Sequence, residues 1–285
     1  MIGEKSKSEL ENHPPAVVSN AIDPCSRLKM YDIEELDKPE LLLRVQNLFS
    51  SDPTLIIETI NFFDIYLHFY KIPLTVSLEI QPFFINSLSI EDIPNEIIEP
   101  CLRIISSISS SFSDKFDYFS FFSNLWKFLP SSYAFDAISS LITANHAAAV
   151  TISKHPFLPL LHELFQSDDR IMQSGALGIF NSIAFHSELA KLLHETFNQV
   201  LDFHITAEPS FKIQCFETFI NLISNHYWCD ILINSSDLPM LFQIDETDSY
   251  DGQLLTALRL LNALILNCDA NPEELILNSE TIPLI

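Results

Sequence analysis

The sequence predicts an all-α protein, a right-handed α-α superhelix (solenoid) in which helical repeats stack along one axis. Two sequence markers support this fold class, because each recurs at multiples of about 40 residues, as the units of a solenoid do. One marker is an apolar residue followed by proline, and the other is an asparagine. The two sets are Leu158-Pro159, Leu238-Pro239 and Ile282-Pro283, and Asn181, Asn221 and Asn262.

An apolar stripe accompanies the asparagine marker. Ala176, Ile179, Phe180 and Ile183 stand at offsets −5, −2, −1 and +2 from Asn181, which is one face of a helix. Across six aligned segments, the same offsets are apolar at 22 of 24 positions. The six marker residues are Asn61, Ser106, Ser140, Asn181, Asn221 and Asn262. We therefore expect six marker helices, each burying one stripe.

Composition excludes several other classes of protein. The chain has four glycines, which is too few for the phosphate-binding loops and tight hairpins of nucleotide-binding and β-rich folds. Two of them, Gly175 and Gly178, fall within an expected helix, where they would permit close packing. The net charge of −23 disfavours nucleic acid and anionic membranes as partners and favours a basic protein segment. The alternative is that this charge serves only solubility.

Two regions are expected along the chain. Residues 1–38 are polar and interrupted by prolines, which is typical of a disordered N-terminal arm. Residues 39–285 form the helical repeat domain, with about five to six repeats and an incomplete last one. A first short helix, KPELLLRVQNLF, opens this domain.

Each repeat is expected to hold two short helices followed by a marker helix. In the clearest unit the short helices cover 146–155 and 156–166, and Asp168-Asp169 caps the marker helix that follows. The later units repeat this order. Their expected helices are 187–196, 197–205 and 208–225, then 227–236, 237–245 and 249–267, and finally 271–280 and 281–285.

This order of helices resembles the armadillo repeat, with an apolar-Pro-apolar opening of the second helix and an asparagine late in the third. The matching segments are Leu158-Pro159-Leu160, Leu238-Pro239-Met240, Ile282-Pro283-Leu284 and the helices of Asn181, Asn221 and Asn262. The resemblance implies a concave groove lined by the third helices, where asparagines bond the backbone of an extended peptide. HEAT-type repeats remain an alternative, especially in the N-terminal half.

One departure from the armadillo pattern limits what the resemblance implies. Importin-type grooves carry a tryptophan one turn before each asparagine, whereas this chain has Leu177, Glu217 and Leu258 there. Binding of nuclear localisation signals in that manner is therefore not expected.

The marker row and the residues one turn before it are the candidate partner-binding groove. Amide and charged side chains on one helix ridge offer donors and acceptors to an extended chain. The alternative is that these side chains bond the neighbouring repeat and serve only stacking. The candidate groove residues are Glu58, Asn61, Arg103, Ser106, Asp136, Ser140, Asn181, Glu217, Asn221, Arg259 and Asn262.

The C-terminal segment suggests a second contact. Ile282, Leu284 and Ile285 leave an apolar end where solenoids usually have a polar cap, so we expect a partner or self-association contact there. No segment has the length and apolarity of a membrane span.

The cysteines and the N-terminus bear on where the protein resides. The five cysteines show no CxxC pairing, which predicts reduced, buried thiols in an intracellular protein, cytoplasmic or nuclear. The N-terminal residues lack the apolar core of a secretory signal.

No catalytic, cofactor or metal site is expected. The histidines at 155, 162, 186, 194, 204 and 226 form no HExxH motif or i, i+4 pair. No acid, base and nucleophile converge in any recognised motif. The sequence therefore predicts a non-enzymatic scaffold or adaptor that binds an extended or basic partner segment in an acidic concave groove. The alternative is a regulatory subunit of an enzyme or chaperone, such as an exchange factor or phosphatase adaptor. It would contact a folded partner through the edge or end of the array.

Overall fold

The computed structural model describes residues 36–90, 94–154, 156–223, 226–233, 242 and 250–267. Within these ranges the regular elements are helices, and no helix among them is long and apolar enough to cross a bilayer. Most of the expected N-terminal arm lies outside the described residues. So do all residues but 242 of the helix expected at 237–245, and the expected end contact at Ile282, Leu284 and Ile285.

The six expected marker residues lie in six separate helices. These marker helices are α2 (Pro53–Phe69), α4 (Asn95–Ser107), α6 (Ser132–Ala144), α9 (Arg170–Ala184), α11 (Pro209–Leu222) and α13 (Tyr250–Asn267). The other α-helices are α1 (Lys38–Leu48), α3 (Leu74–Ser87), α5 (Tyr118–Leu125), α7 (His146–Ile152), α8 (Phe157–Phe165), α10 (His194–Thr206) and α12 (His226–Ile233). Short 3₁₀ turns occupy Ser109–Ser111, Trp126–Phe128 and Ala190–Leu193.

Successive marker helices pack directly on one another, in the order α2, α4, α6, α9, α11 and α13. Their apolar stripes form the core, since all but three of the 24 stripe positions are buried. The exceptions, Ile56, Ser139 and Ile220, are half-buried. This confirms the all-α stacking of one helix per repeat, including the three N-terminal helices, whose marker is less regular.

The helices between the marker helices differ from the expected pair of short helices. The pair occurs as α7 and α8, but a single helix, α3, joins α2 to α4. Between α9 and α11, the segment expected as a helix at 187–196 is a 3₁₀ turn, and α10 begins at His194. Leu189 and Leu193 are both buried there, and a single tight turn is enough to bury two residues at that spacing.

The start of α9 confirms the expected cap. The Asp169 carboxylate accepts hydrogen bonds from the backbone N–H groups of Ile171 and Met172, at 2.8 and 3.3 Å. These N–H groups have no partner within the helix, so the carboxylate satisfies both and also suits the positive end of the helix dipole.

Two cysteines are buried, free thiols, as the sequence predicted, whereas a third departs from that prediction. Cys101 and Cys215 are free and fully buried in α4 and α11. Burial raises the pKa of the Cys101 thiol to about 12 and also raises the pKa of Cys215. Cys229 in α12 is instead disulfide-bonded. Isolated positions in a sequence do not reveal which cysteines meet in space, so this bond was not predicted.

Candidate partner-binding groove

Marker residues of neighbouring helices contact each other. The Ser106 and Ser140 hydroxyl oxygens lie 2.6 Å apart between α4 and α6. The Asn221 side-chain amide donates to the Asn181 amide oxygen at 2.7 Å, between α11 and α9. These contacts correspond to the stacking role that the sequence left open for the row.

Two arginines predicted to line the groove form ion pairs with acids on the preceding marker helix. Arg103 in α4 binds both carboxylate oxygens of Asp64 in α2, at 2.8 and 2.7 Å. This hydrogen bonding to Asp64 is the main cause of the raised pKa of Arg103. Arg259 in α13 likewise pairs with both oxygens of Glu217 in α11. Much of the negative charge of Asp64 and Glu217 is therefore neutralised within the protein.

Two further polar contacts join α9 to α11. The Arg170 guanidinium donates to the Glu208 carboxylate at 2.9 Å. The Ser174 hydroxyl and the Gln214 amide lie 3.1 Å apart and exchange hydrogen bonds. Sequence reasoning missed this pair, although Ser174 and Gln214 stand at the same offset, seven residues before their marker asparagines.

Two open grooves follow the exposed side of the marker helices. The larger, of about 470 Å³, lies between α6, α9 and α11, and Asn181, Gln214 and Glu217 are part of its lining. The smaller, of about 210 Å³, lies between α2, α4 and α6 beside Arg103. Asp136 in α6 lines both grooves, so together they cross five successive marker helices.

Asp136 differs from the other acids of these grooves. Asp136 is only partly exposed, and within the described residues no hydrogen bond or ion pair to it is seen. Partial burial beside its neighbours raises the pKa of its carboxyl. A carboxylate in this position would gain from a cation supplied by a bound partner, since the protein itself supplies none among the described residues.

The remaining predicted groove residues divide into two groups. Ser106 lines the smaller groove, and Ser140, its hydrogen-bond partner, is half-buried beside it. Glu58, Asn61 and Asn262 are exposed but line neither of the two grooves. The structure therefore brings together the middle of the predicted row and leaves its two ends as separate surface positions.

A cluster of metal-ligand residue types lies away from these grooves. His146, His186 and Glu188 each bring one candidate ligand atom within 4.8 Å of the other two. No metal site was expected from the sequence, because His186 and the other histidines form no local ligand motif. His146 and Glu188 belong to neighbouring units, so no local motif connects them in the sequence.

A stack of marker helices with open grooves along its exposed side defines a helical-repeat protein of the solenoid class. No protein-family model matches the chain, and no curated protein matches it either. Solved structures do match. A designed armadillo repeat protein is 16% identical with a TM-score of 0.58, covering 79% of this chain and 99% of its own. Another, solved in complex with the peptide (KR)4, is 18% identical with a TM-score of 0.61, covering 79% and 99%.

A third match is a computationally designed armadillo repeat protein for modular peptide recognition. It is 15% identical with a TM-score of 0.54 and covers 78% of this chain and 99% of its own. At these identities the likeness concerns the fold. The chain is accordingly an armadillo-like α-solenoid, with a sequence that differs widely from those of the designs.

Proposed function

We propose that this protein is a non-enzymatic scaffold that binds an extended, basic segment of another protein along its two grooves. The observation that carries this proposal is Asp136, a carboxylate without a described cation partner at the junction of both grooves. The other acidic groove residues, Asp64 and Glu217, already have arginine partners. The attraction for a basic partner is therefore concentrated in the middle of the array.

The repeat geometry supports an extended partner. Packed helices lie about 8–10 Å apart, and an extended chain advances about 3.3–3.6 Å per residue. A segment that crosses the marker helices would thus pass one helix for about every two to three residues. Side chains at that interval could reach Asp136 and then the amides of Asn181 and Gln214 in turn.

The structural neighbours and the charge of the chain agree with this proposal. One designed armadillo protein of similar fold was solved with the peptide (KR)4, which alternates two basic residues. The net charge of −23 would attract such a segment from a distance and speed its association.

Binding of a labelled (Lys-Arg)4 peptide, followed by fluorescence anisotropy, tests the proposal. We expect Asp136→Asn to weaken binding about fivefold at low salt, because an exposed charge pair contributes up to about 1 kcal/mol. The matched control is Glu163→Gln, which removes one exposed acid from α8 outside both grooves. Its affinity should stay within about twofold of the wild type, because a charge outside both grooves acts on the peptide only over a long distance through water.

The pH dependence of peptide binding is a second test of the role of Asp136. Because the pKa of Asp136 is raised, its charge is lost at a higher pH than that of an ordinary aspartate. Wild-type affinity should therefore fall towards that of Asp136→Asn as the pH falls through this pKa. Equal binding by Asp136→Asn and Glu163→Gln, or wild-type binding of an acidic (Asp-Glu)4 peptide as tightly as (Lys-Arg)4, would contradict the proposal.

A further inference from the structure

The edge of the array where α9 ends holds two histidines and a glutamate from neighbouring units. His146 is the first residue of α7, and His186 and Glu188 follow the end of α9 at Ala184. One nitrogen or oxygen from each lies within 4.8 Å of those of the other two. We propose that these three side chains bind a divalent transition-metal ion of the zinc type.

The hydrogen bond of His186 sets the tautomer and the orientation of its imidazole ring in a way that suits metal binding. Its Nε2 lies 2.7 Å from the carbonyl oxygen of Ile142, which can only accept a hydrogen bond. Nε2 must therefore carry the proton, and in the neutral ring the lone pair is on Nδ1. Metal-binding histidines commonly donate their second N–H to a carbonyl in this way, which sets the tautomer and orients the ring. Half-buried His186 is thus the fixed member of the cluster.

The other two side chains of the cluster are exposed and lie close together. His146 Nδ1 and Glu188 Oε1 are 2.9 Å apart, and their side chains are 51% and 59% exposed. Ligand atoms about 2.0–2.1 Å from a tetrahedral zinc ion stand roughly 3.3 Å from each other. Movements of these two ligand atoms by up to about 1.5 Å would therefore change the present spacing, up to 4.8 Å, to that around a bound ion.

The donor set selects the chemical class of the ion. Two imidazoles and one carboxylate suit Zn²⁺, Co²⁺, Ni²⁺ or Cu²⁺, whereas Mg²⁺ and Ca²⁺ prefer oxygen ligands. Three protein ligands leave one tetrahedral position to water. The bound ion would tie the start of α7 to the end of α9, and thereby join two units of the array at their edge.

Titration calorimetry of the full chain with Zn²⁺, with the thermal midpoint measured in parallel, tests this site. We expect His146→Ala and Glu188→Gln each to weaken one zinc site per chain by on the order of tenfold or more. Both side chains are exposed, so the variants should fold, which circular dichroism would verify. His68→Ala and Glu163→Gln are the controls, since each removes the same residue type elsewhere on the surface.

The wild type and both controls should gain thermal stability with zinc, while the two site variants should lose this gain. Two results would overturn the proposal. One is the absence of a saturable zinc site in the wild type, which would leave His146 and Glu188 as a polar contact only. The other is equal zinc affinity in the wild type and His146→Ala, which would place any binding elsewhere. Neither result bears on peptide binding at Asp136, because the two sites share no residue.

Discussion

Gly175 and Gly178 lie one turn apart in α9, yet their surroundings differ. A Cβ atom at Gly175 would stand 2.2 Å from the ring of Phe135 in α6, which no real contact permits. A Cβ atom at Gly178 would meet only the Ser139 hydroxyl, at an ordinary 3.7 Å. The expectation that both glycines serve close packing is therefore confirmed for Gly175 and is wrong for Gly178.

Alanine at these two positions should change stability in opposite directions. Gly175→Ala should destabilise by about 1–3 kcal/mol, because the methyl group forces Phe135 or the helix to move. Gly178→Ala should stabilise by up to about 1 kcal/mol, because alanine favours the helix and meets no obstacle. Urea unfolding followed by circular dichroism measures both. A Gly175→Ala variant as stable as the wild type would show that Phe135 can rotate away at no cost.

Pairs of helices are joined by polar contacts as well as by the apolar stripe. The link between α9 and α11 contains Asn181 with Asn221, and Ser174 with Gln214. The contact of α6 with α9 includes the close approach of Phe135 to Gly175. The marker residues therefore differ in what they contact. Some bond a neighbouring marker helix, and some line a groove.

A double-mutant cycle separates these roles for the asparagines. We expect Asn181→Ala and Asn221→Ala each to destabilise by about 1 kcal/mol, since each removes the hydrogen bond between the two amides. The double variant should cost less than the sum, with a coupling of about 0.5–1 kcal/mol. Urea unfolding gives the coupling, and (Lys-Arg)4 affinity gives the binding effect. Additive costs in unfolding would show that the 2.7 Å contact contributes nothing to stacking.

Features with a helical period were predictable from the sequence. The stripe around each marker residue and the Asp169 cap depend on residues within one helix, and both were confirmed. Contacts such as Arg103 with Asp64 depend on the stagger and rotation of two helices, which one sequence does not specify. The meeting of His146 with Glu188 and the disulfide of Cys229 were missed for the same reason.

At the scale of the whole molecule, charge is far from balanced. The chain has 38 acidic and 15 basic residues, and three arginines are held in the ion pairs described above. Mutual repulsion of the remaining acids opposes the compact state, and the same field attracts a basic partner. Stability and partner binding should therefore respond to salt with opposite signs.

Raising sodium chloride from low to physiological concentration tests this expectation. The thermal midpoint should rise, because ions screen the repulsion, while the affinity for (Lys-Arg)4 should fall. Scanning calorimetry and fluorescence anisotropy on the same samples measure the two effects. Asp136→Asn should show the same rise in midpoint, which serves as the control. A midpoint that falls with salt would mean that the arginine ion pairs outweigh the general repulsion.

The fit of Phe135 against Gly175 also bears on how the chain folds. Stacked repeats are similar enough that a helix could dock on the wrong neighbour during folding, which is a characteristic failure of repeat proteins. The position of Gly175, six before the marker, holds Leu55, Pro100, Ala134, Cys215 and Thr256 in the other marker helices. Each of these carries a Cβ atom that would collide with Phe135 in the same docking geometry. Glycine at this position therefore allows α9 to pack beside α6, whereas the corresponding side chains of the other marker helices would prevent those helices from packing there.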